Sequence, residues 1–435
     1  MMFSSRYLLV FLAIYSVAVT AEESPRLDGL PNIDQCAGIL ESYGVKPLLV
    51  SEVEPGNRTI PDINVTQPDG TWAVIAGDSR HLVVPPVPSE SGETKHLVVS
   101  LPPTNGRPTG LICYTAAIAQ QGYPIISLMN EYLNSPDAIR SKRCLNTYGN
   151  HTPEFSQCLD DMHNDAIFGG DHGMNGTLWQ AIDPRDSIHG RLSLLLSYLM
   201  ETSTSPELWG PYINNATEPW SAFAPYEPNY SNIWVTGLSQ GASHATYMAY
   251  SLKLKGAGFF AGPQDDYCHF VDPNSSNPCW VQRPFATADI RGVVHGLEEA
   301  YPVVSDNWKH MFDGKPLYDI ENATNDNMPL QQPWVTYVQP NPAAPGKYHR
   351  SLNKDPDTPY FVNGTYGPDD NPAVYAKYLW PQISGIVTAT PSTNTTGTTT
   401  TGGAEPTTSS AISTRGYRLW ATAIMSAVLG SFVAI

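Results

Sequence analysis

One stretch constrains the chain more than any other: Ile233-Trp-Val-Thr-Gly-Leu-Ser-Gln-Gly-Ala-Ser-His-Ala245. The β-branched and aromatic run Ile233 to Thr236 reads as a buried strand, and an Ala-rich helical pattern takes over from Gln240. Between them, Gly237-Leu238-Ser239-Gln240-Gly241 has the G-x-S-x-G spacing of a nucleophile elbow. The spacing has a steric reason. A serine on a sharp strand-to-helix turn needs an unfavourable backbone conformation, and glycines two before and two after let strand and helix pass without Cβ clashes. Ser239 then sits at a helix N-terminus, where the Gln240 N–H faces any negative charge developing on an oxygen bound there.

The two ends are equally legible. Arg6, the apolar run Tyr7 to Val19 and the small residues Ala18-Val-Thr-Ala21 predict a secretory signal peptide over residues 1–21, cleaved after Ala21. Residues 386–410 are almost all Thr, Ser, Gly, Pro and Ala, the composition of a solvated stalk open to O-glycosylation. Over 411–435 a short polar stretch with Arg415 and Arg418 leads into the apolar tail Leu419 to Ile435. Small-residue triplet, polar spacer and apolar tail predict a GPI-anchor signal, with Ser409-Ser410-Ala411 as the preferred attachment triplet and Gly402-Gly403-Ala404 as the second. The competing expectation is a transmembrane helix, disfavoured by the short tail and the lack of basic residues after it.

Ten N-x-S/T sequons, at Asn57, Asn64, Asn150, Asn175, Asn215, Asn229, Asn274, Asn322, Asn363 and Asn394, fit a secreted glycoprotein. The six cysteines are expected to form disulfides; proximity favours Cys144–Cys158 and Cys268–Cys279, leaving Cys36 with Cys113. With no C-x-x-C, a thiolate metal site is not expected. The net charge of −17 argues against nucleic acids and anionic membrane surfaces as partners.

Residues 22–70, rich in Pro and Asp, read as an N-terminal extension with a short helix around Cys36 to Tyr43. The main domain spans 71–385. It opens with strand-like runs at Trp72–Ile75, Leu82–Val84 and Lys95–Leu101. A loop, a helix over Thr109 to Gln121 and a strand at Tyr123 to Leu128 follow. Strand, loop, helix, strand is a βαβ unit, so the expected fold is α/β, a mostly parallel doubly wound sheet with helices on both faces. The loop after residue 101 falls at the carboxyl edge beside the elbow, where a backbone N–H of Thr104 or Asn105 becomes a second oxyanion donor. Residues 130–186 show no clear periodicity and hold two cysteines, which predicts a disulfide-closed insertion placed where a lid or substrate-selecting wall would be. Its His163-Asn-Asp165 and Asp171-His172 are read as polar loop residues, not metal ligands. Asp186 to Met200 is an amphipathic helix with the core stripe Ile188, Leu192, Leu195, Leu196 and Leu199. Further strands are expected at Gly256–Ala261, Asp289–Glu299 and Pro333–Gln339.

A serine hydroxyl needs a base to take its proton, and the base needs a carboxylate to hold its tautomer. His349 follows the last strand and is the expected base, with His310 in reserve; His244, on the serine's own helix, is read as packed. Glu298, closing the penultimate strand, is the expected acid, with Glu299 and Asp265 as alternatives and Asp266 beside the latter.

On these residues the chain resembles the α/β-hydrolase superfamily, and within it a little-characterised, mainly bacterial family. The matching residues are Gly237-Leu-Ser-Gln-Gly-Ala-Ser-His-Ala245, Phe260-Ala-Gly-Pro-Gln-Asp265, Val294-His-Gly-Leu-Glu298 and His349-Arg-Ser-Leu-Asn-Lys-Asp355, followed by Thr358-Pro359. The resemblance implies a Ser–acid–His hydrolase with Ser239 and His349 in the roles above; Glu298 stands where the family pattern has an Asp. The resulting expectation is an extracellular, GPI-anchored carboxylic-ester hydrolase. It would use Ser239, His349 and Glu298, with Gln240 and Thr104 at the oxyanion, and no metal or organic cofactor. Its substrate would be a small-molecule or lipid ester, and its membrane contact the lipid anchor. Cleavage of peptide or lipid would instead use a pocket lined by the 130–186 insertion and the Trp-rich segment 209–234. The rival expectation from another class is a catalytically silent hydrolase fold serving as a surface binding or adhesion glycoprotein.

Overall fold

A computed structural model describes residues 34–49, 53, 63–66, 72–75, 80–88, 93–104, 106–129, 137–149, 152–173, 181–265, 279–320, 329, 332–338, 347–353, 361–362, 365–366, 375 and 379–386. The chain divides into the units Met1–Thr390 and Pro391–Ile435, and every described residue belongs to the first. The signal peptide, stalk and apolar tail lie outside the described residues. Within the described residues no helix is long and apolar enough to cross a membrane.

The alternation read from the sequence builds one sheet from nine strands: β1 (Lys46–Leu49), β2 (Arg80–Val84), β3 (Leu97–Leu101), β4 (Ile125–Ser127), β5 (Ile233–Leu238), β6 (Gly256–Phe260), β7 (Ile290–His295), β8 (Tyr318–Asp319) and β9 (Trp334–Thr336). Their spatial order is β1-β2-β4-β3-β5-β6-β7-β9-β8. The pairs β1–β2 and β2–β4 are antiparallel and all others are parallel. This is the mostly parallel, doubly wound α/β sheet expected. Trp72–Ile75 is a strand too, but it pairs with Ile63–Thr66 outside the sheet. The extension carries the expected short helix, α1 (Asp34–Ser42), and contributes more than expected, because residues 46–49 form the edge strand β1.

The remaining helices are α2 (Ile112–Gln120), α3 (Asp137–Tyr148), α4 (Pro153–Phe168), α5 (Ile188–Thr202), α6 (Gln240–Ser251), α7 (Tyr301–Met311), α8 (Lys347–Arg350) and α9 (Trp380–Ile383). Strand alternation feeds a core on each face. Leu97 and Val99 of β3 pack with α4, α5, α6 and α7, whereas Val98 packs with α1, α2 and α9. All six residues of β5 are buried, as befits a central strand covered on both sides. The predicted stripe of α5 is buried throughout, and Ser187 caps that helix by accepting from the Gly190 N–H at 3.0 Å.

The 130–186 stretch corrects the expectation of an aperiodic insertion, since α3 and α4 occupy it. Helix α4 buries Phe155, Cys158, Leu159, Met162 and Ala166, a helical stripe diluted in the sequence by the polar residues between them. Thr152 caps it, accepting from the Phe155 N–H at 3.1 Å, and Pro153 occupies its first turn. The disulfide Cys144–Cys158 ties α3 to α4, and Cys36–Cys113 ties α1 to α2, both as expected. Cys279 is disulfide-bonded; its expected partner Cys268 lies outside the described residues. Two tryptophans of the segment 209–234 belong to the core. Trp209 and Trp234 are buried, and the Trp234 indole donates to the Ile383 carbonyl at 2.7 Å, so both serve the core and not an open pocket.

Burial holds His81, His189 and the half-buried His96 as neutral rings. Burial, with Arg191 nearby, lowers the pKa of His81 to about 3, and its Nδ1 accepts the Met129 N–H at 3.0 Å. Burial lowers His96 and His189 to about 4. A folded-state pKa below the unfolded value means stability is present above about pH 6.5 and is lost as pH falls toward the folded value. His172, raised by its bond to Asp165, has the opposite sign but is half exposed. The melting temperature is therefore expected to fall steadily from pH 6.5 to pH 4, with His81 alone costing about 3 kcal/mol at pH 4. Calorimetry across that range checks this, and a flat profile would contradict it.

Candidate active site

Because β3, β5, β6, β7 and β9 run parallel, the loops after them emerge at one edge of the sheet. Thr104, Ser239, Asp265 and Glu298 stand just past the ends of β3, β5, β6 and β7, and His349 lies on α8 beyond β9.

Ser239 lies between β5 and α6 with φ 57° and ψ −118°, a left-handed region that side-chain-bearing residues rarely adopt. It occupies the N-cap position, yet its hydroxyl makes no capping bond. The glycines act as the sequence predicts. A Cβ on Gly237 would stand 2.1 Å from the Gly241 carbonyl oxygen, and one on Gly241 would stand 2.2 Å from the Leu101 oxygen and 2.5 Å from that of Pro102. The end of β3 is thus pressed onto the elbow. Across that contact the Thr104 hydroxyl donates to Gln240 Oε1 at 2.9 Å. The Gln240 N–H, in the first turn of α6, has no acceptor within the helix. Asn105 and Asp266 lie outside the described residues.

Among the candidate acids, the structure pairs Glu298 with His349, the expected base. His349 Nδ1 is 2.5 Å from Glu298 Oε2, the His349 side chain is 25% exposed and that of Glu298 is 0% exposed. With Nδ1–H donating to the carboxylate, Nε2 is left as the basic nitrogen. Glu298 is presented by a tight turn after β7. The Gly296 N–H donates to the Thr336 carbonyl at 2.8 Å. The Leu297 N–H donates to His295 Nδ1 at 3.1 Å, while His295 Nε2–H donates to the Val338 carbonyl at 2.9 Å. The Tyr348 ring packs on His295 with centroids 4.8 Å apart, bringing α8 onto the same turn. On the serine side, the Ser239 N–H donates to the Phe260 carbonyl at 2.9 Å. Gln264 Nε2 donates to the Ala261 carbonyl at 3.0 Å and approaches His349 Nδ1 to 3.5 Å. The loop after β6 therefore touches both sides of the site.

The alternatives fall elsewhere. Glu299 is exposed. Asp265 is fully buried, and its Oδ2 accepts from His163 Nε2 and from the Trp280 indole, each at 2.8 Å. His310 is exposed in the last turn of α7 and lines a cavity of about 790 Å³ with Asp289 and Ile290, at the amino end of β7 and so at the opposite edge from Glu298. His244 is buried, as expected, but is also hydrogen-bonded: its Nε2 lies 3.4 Å from Gln240 Nε2 and its Nδ1 3.3 Å from His163 Nδ1. His163 and Asp165, read as loop residues, are on α4, and Asp165 bonds His172 instead of joining the His163–Asp265 pair. Among the described residues no group of three or more His, Cys, Asp and Glu could hold a metal ion.

The missed residues are His295, Gln264 and His163. His295 stood in plain view three residues before Glu298, whereas Gln264, inside a quoted motif, and His163, weighed only as a metal ligand, carry no local signal for these bonds, which join residues 85 and 102 apart.

No protein-family model matches the chain, and no curated protein does. Among solved structures, an acetyl xylan esterase from Aspergillus awamori aligns over 60% of this chain and 88% of its own length, at 13% sequence identity and a TM-score of 0.28. The chemistry is therefore read from this chain's own geometry.

The elbow contact has a direct test. Gly241→Ala is expected to cost about 3 kcal/mol, since backbone and not a flexible side chain must move. Gly38→Ala, in open space on α1, is expected to be neutral or slightly stabilising. Urea midpoints of the two variants check the contrast; equal shifts would count against it.

Proposed function

We propose that this chain is a serine hydrolase that cleaves carboxylic esters through an acyl-enzyme. The observation that carries the reading is the 2.5 Å bond between His349 and the buried Glu298, at the sheet edge where a left-handed, uncapped Ser239 emerges. In this reading the Ser239 hydroxyl attacks the ester carbonyl while His349 Nε2 takes its proton, and Glu298 stabilises the imidazolium that forms. The negative oxygen of the tetrahedral intermediate faces the Gln240 N–H and the backbone N–H of Thr104. His349 then returns the proton to the leaving alcohol, and water, deprotonated the same way, releases the acid. No step calls for a metal or organic cofactor.

The signal peptide, sequons, stalk and apolar tail support an extracellular, GPI-anchored protein, and this forms part of the proposal. The motif likeness around Ser239, Glu298 and His349 supports placement among the serine hydrolases of the mainly bacterial family named above.

A fluorophosphonate probe applied to the secreted chain is expected to label wild type and not Ser239→Ala. Glu298→Gln is expected to slow hydrolysis of an activated ester about a thousand-fold or more while leaving the fold intact. A folded, glycosylated wild type that neither labels nor turns over esters would overturn the enzyme reading and favour a surface binding module.

A further inference from the structure

A buried line of polar groups runs beneath the elbow and is not consumed by the Ser–His–Glu arrangement. It starts at Asp265 after β6, crosses His163 on α4 and His244 on α6, and ends at Gln240 and Thr104. Asp265 and His163 are fully buried, and His244 and Gln240 are 1% and 2% exposed. Polar groups at such depth are costly unless their hydrogen bonds are made in a consistent order.

Donor chemistry fixes that order. Gln240 Oε1 accepts the Thr104 hydroxyl at 2.9 Å, so its NH2 group faces His244 Nε2 at 3.4 Å. An amide NH2 only donates, so His244 must accept at Nε2 and carry its proton on Nδ1. His244 Nδ1–H then donates to His163 Nδ1 at 3.3 Å, which puts the His163 proton on Nε2, facing Asp265 Oδ2 at 2.8 Å. Every bond from Thr104 to Asp265 donates in the same direction, toward the carboxylate. A second proton on His163 would set two N–H donors face to face across the 3.3 Å contact. Packing holds the rings in place: His163 stacks on Tyr247 at 5.1 Å and meets His244 and Trp280 edge-on at 5.4 Å and 5.3 Å.

We propose that Asp265, His163 and His244 are positioning residues for the oxyanion pocket: through Gln240 they hold the Thr104 loop at the distance from the elbow where its backbone N–H and that of Gln240 converge. The inference rests on the serine hydrolase reading. Because the one hydroxyl proton of Thr104 is committed to Gln240, the hydroxyl positions the loop and the backbone N–H faces the oxyanion. Helix α4, tied to α3 by Cys144–Cys158, thereby becomes part of the support for the chemistry.

The test uses the secreted full chain in two measurements. Nitrogen-15 histidine spectra at neutral pH, assigned with His163→Phe and His244→Phe, are expected to show His163 protonated on Nε2 and His244 on Nδ1. Hydrolysis of p-nitrophenyl acetate is expected to fall about ten-fold or more in kcat, at unchanged KM, in both Thr104→Val and His163→Phe. The double variant should be no slower than the slower single one, because both act through one chain. Thr104→Ser, which keeps the hydroxyl, should recover most of the kcat lost in Thr104→Val, and Thr104→Val, a loop substitution, keeps the test open if the buried variants do not fold. His244 protonated on Nε2, wild-type turnover in Thr104→Val, or multiplicative losses in the double variant would each overturn the proposal. A wild type without esterase activity would overturn the hydrolase reading and this role together. An active wild type with an unaffected Thr104→Val would overturn this role alone.

Discussion

The structure depends on a backbone-to-backbone approach at Gly241. The carbonyls of Leu101 and Pro102 occupy the space a side chain there would need, so β3 and α6 can meet only because Gly241 has no Cβ. The same closeness recurs on the other side of the elbow, where a Cβ on Gly262 would lie 2.6 Å from that of Ala242. With neighbouring strands pressed against both flanks, and the Ser239 amide bonded to the Phe260 carbonyl, the turn has no room to relax. A left-handed serine costs on the order of 1–3 kcal/mol, and this packing supplies the constraint that keeps it there.

The three candidate carboxylates show how environment sorts identical chemistry. Glu299, one residue beyond Glu298, is turned to solvent, and Asp265 is saturated on one oxygen by an imidazole and an indole. Glu298 alone combines burial with a partially exposed histidine. Its placement comes from His295, whose two ring nitrogens bridge the turn that carries Glu298 and the strand that leads toward His349. A glutamate reaches His349 here because this turn holds its backbone and its buried carboxylate meets the ring.

Asp265 and Glu298 also illustrate two uses of a buried negative charge at one sheet edge. Glu298 faces a partly exposed histidine, a geometry suited to passing a proton between the ring and a bound molecule. Asp265 faces His163, a fully buried ring packed by Tyr247, Trp280 and His244, a geometry suited to orienting hydrogen bonds.

The elbow, the strand–helix alternation and the two disulfides that fall wholly within the described residues were legible in the amino-acid order. Each rests on short-range rules: glycine sterics over five residues, periodicity over ten or so, and cysteine proximity. The stripe of α4 was also present in the sequence, but Asp160, Asp161, Asn164 and Asp165 interrupt its apolar signal. The pairing of His349 with Glu298 instead of Glu299 or Asp265, the placement of His310 at the opposite edge, the burial of Trp209 and the edge strand at 46–49 were decided only by the fold. Glu298 and His349 are 51 residues apart, and His163 and Asp265 are 102 apart. Local propensity contains no information about such pairs. They meet because the order β3-β5-β6-β7-β9 delivers the ends of distant strands to one edge, where burial and hydrogen-bond satisfaction select among the residues that arrive.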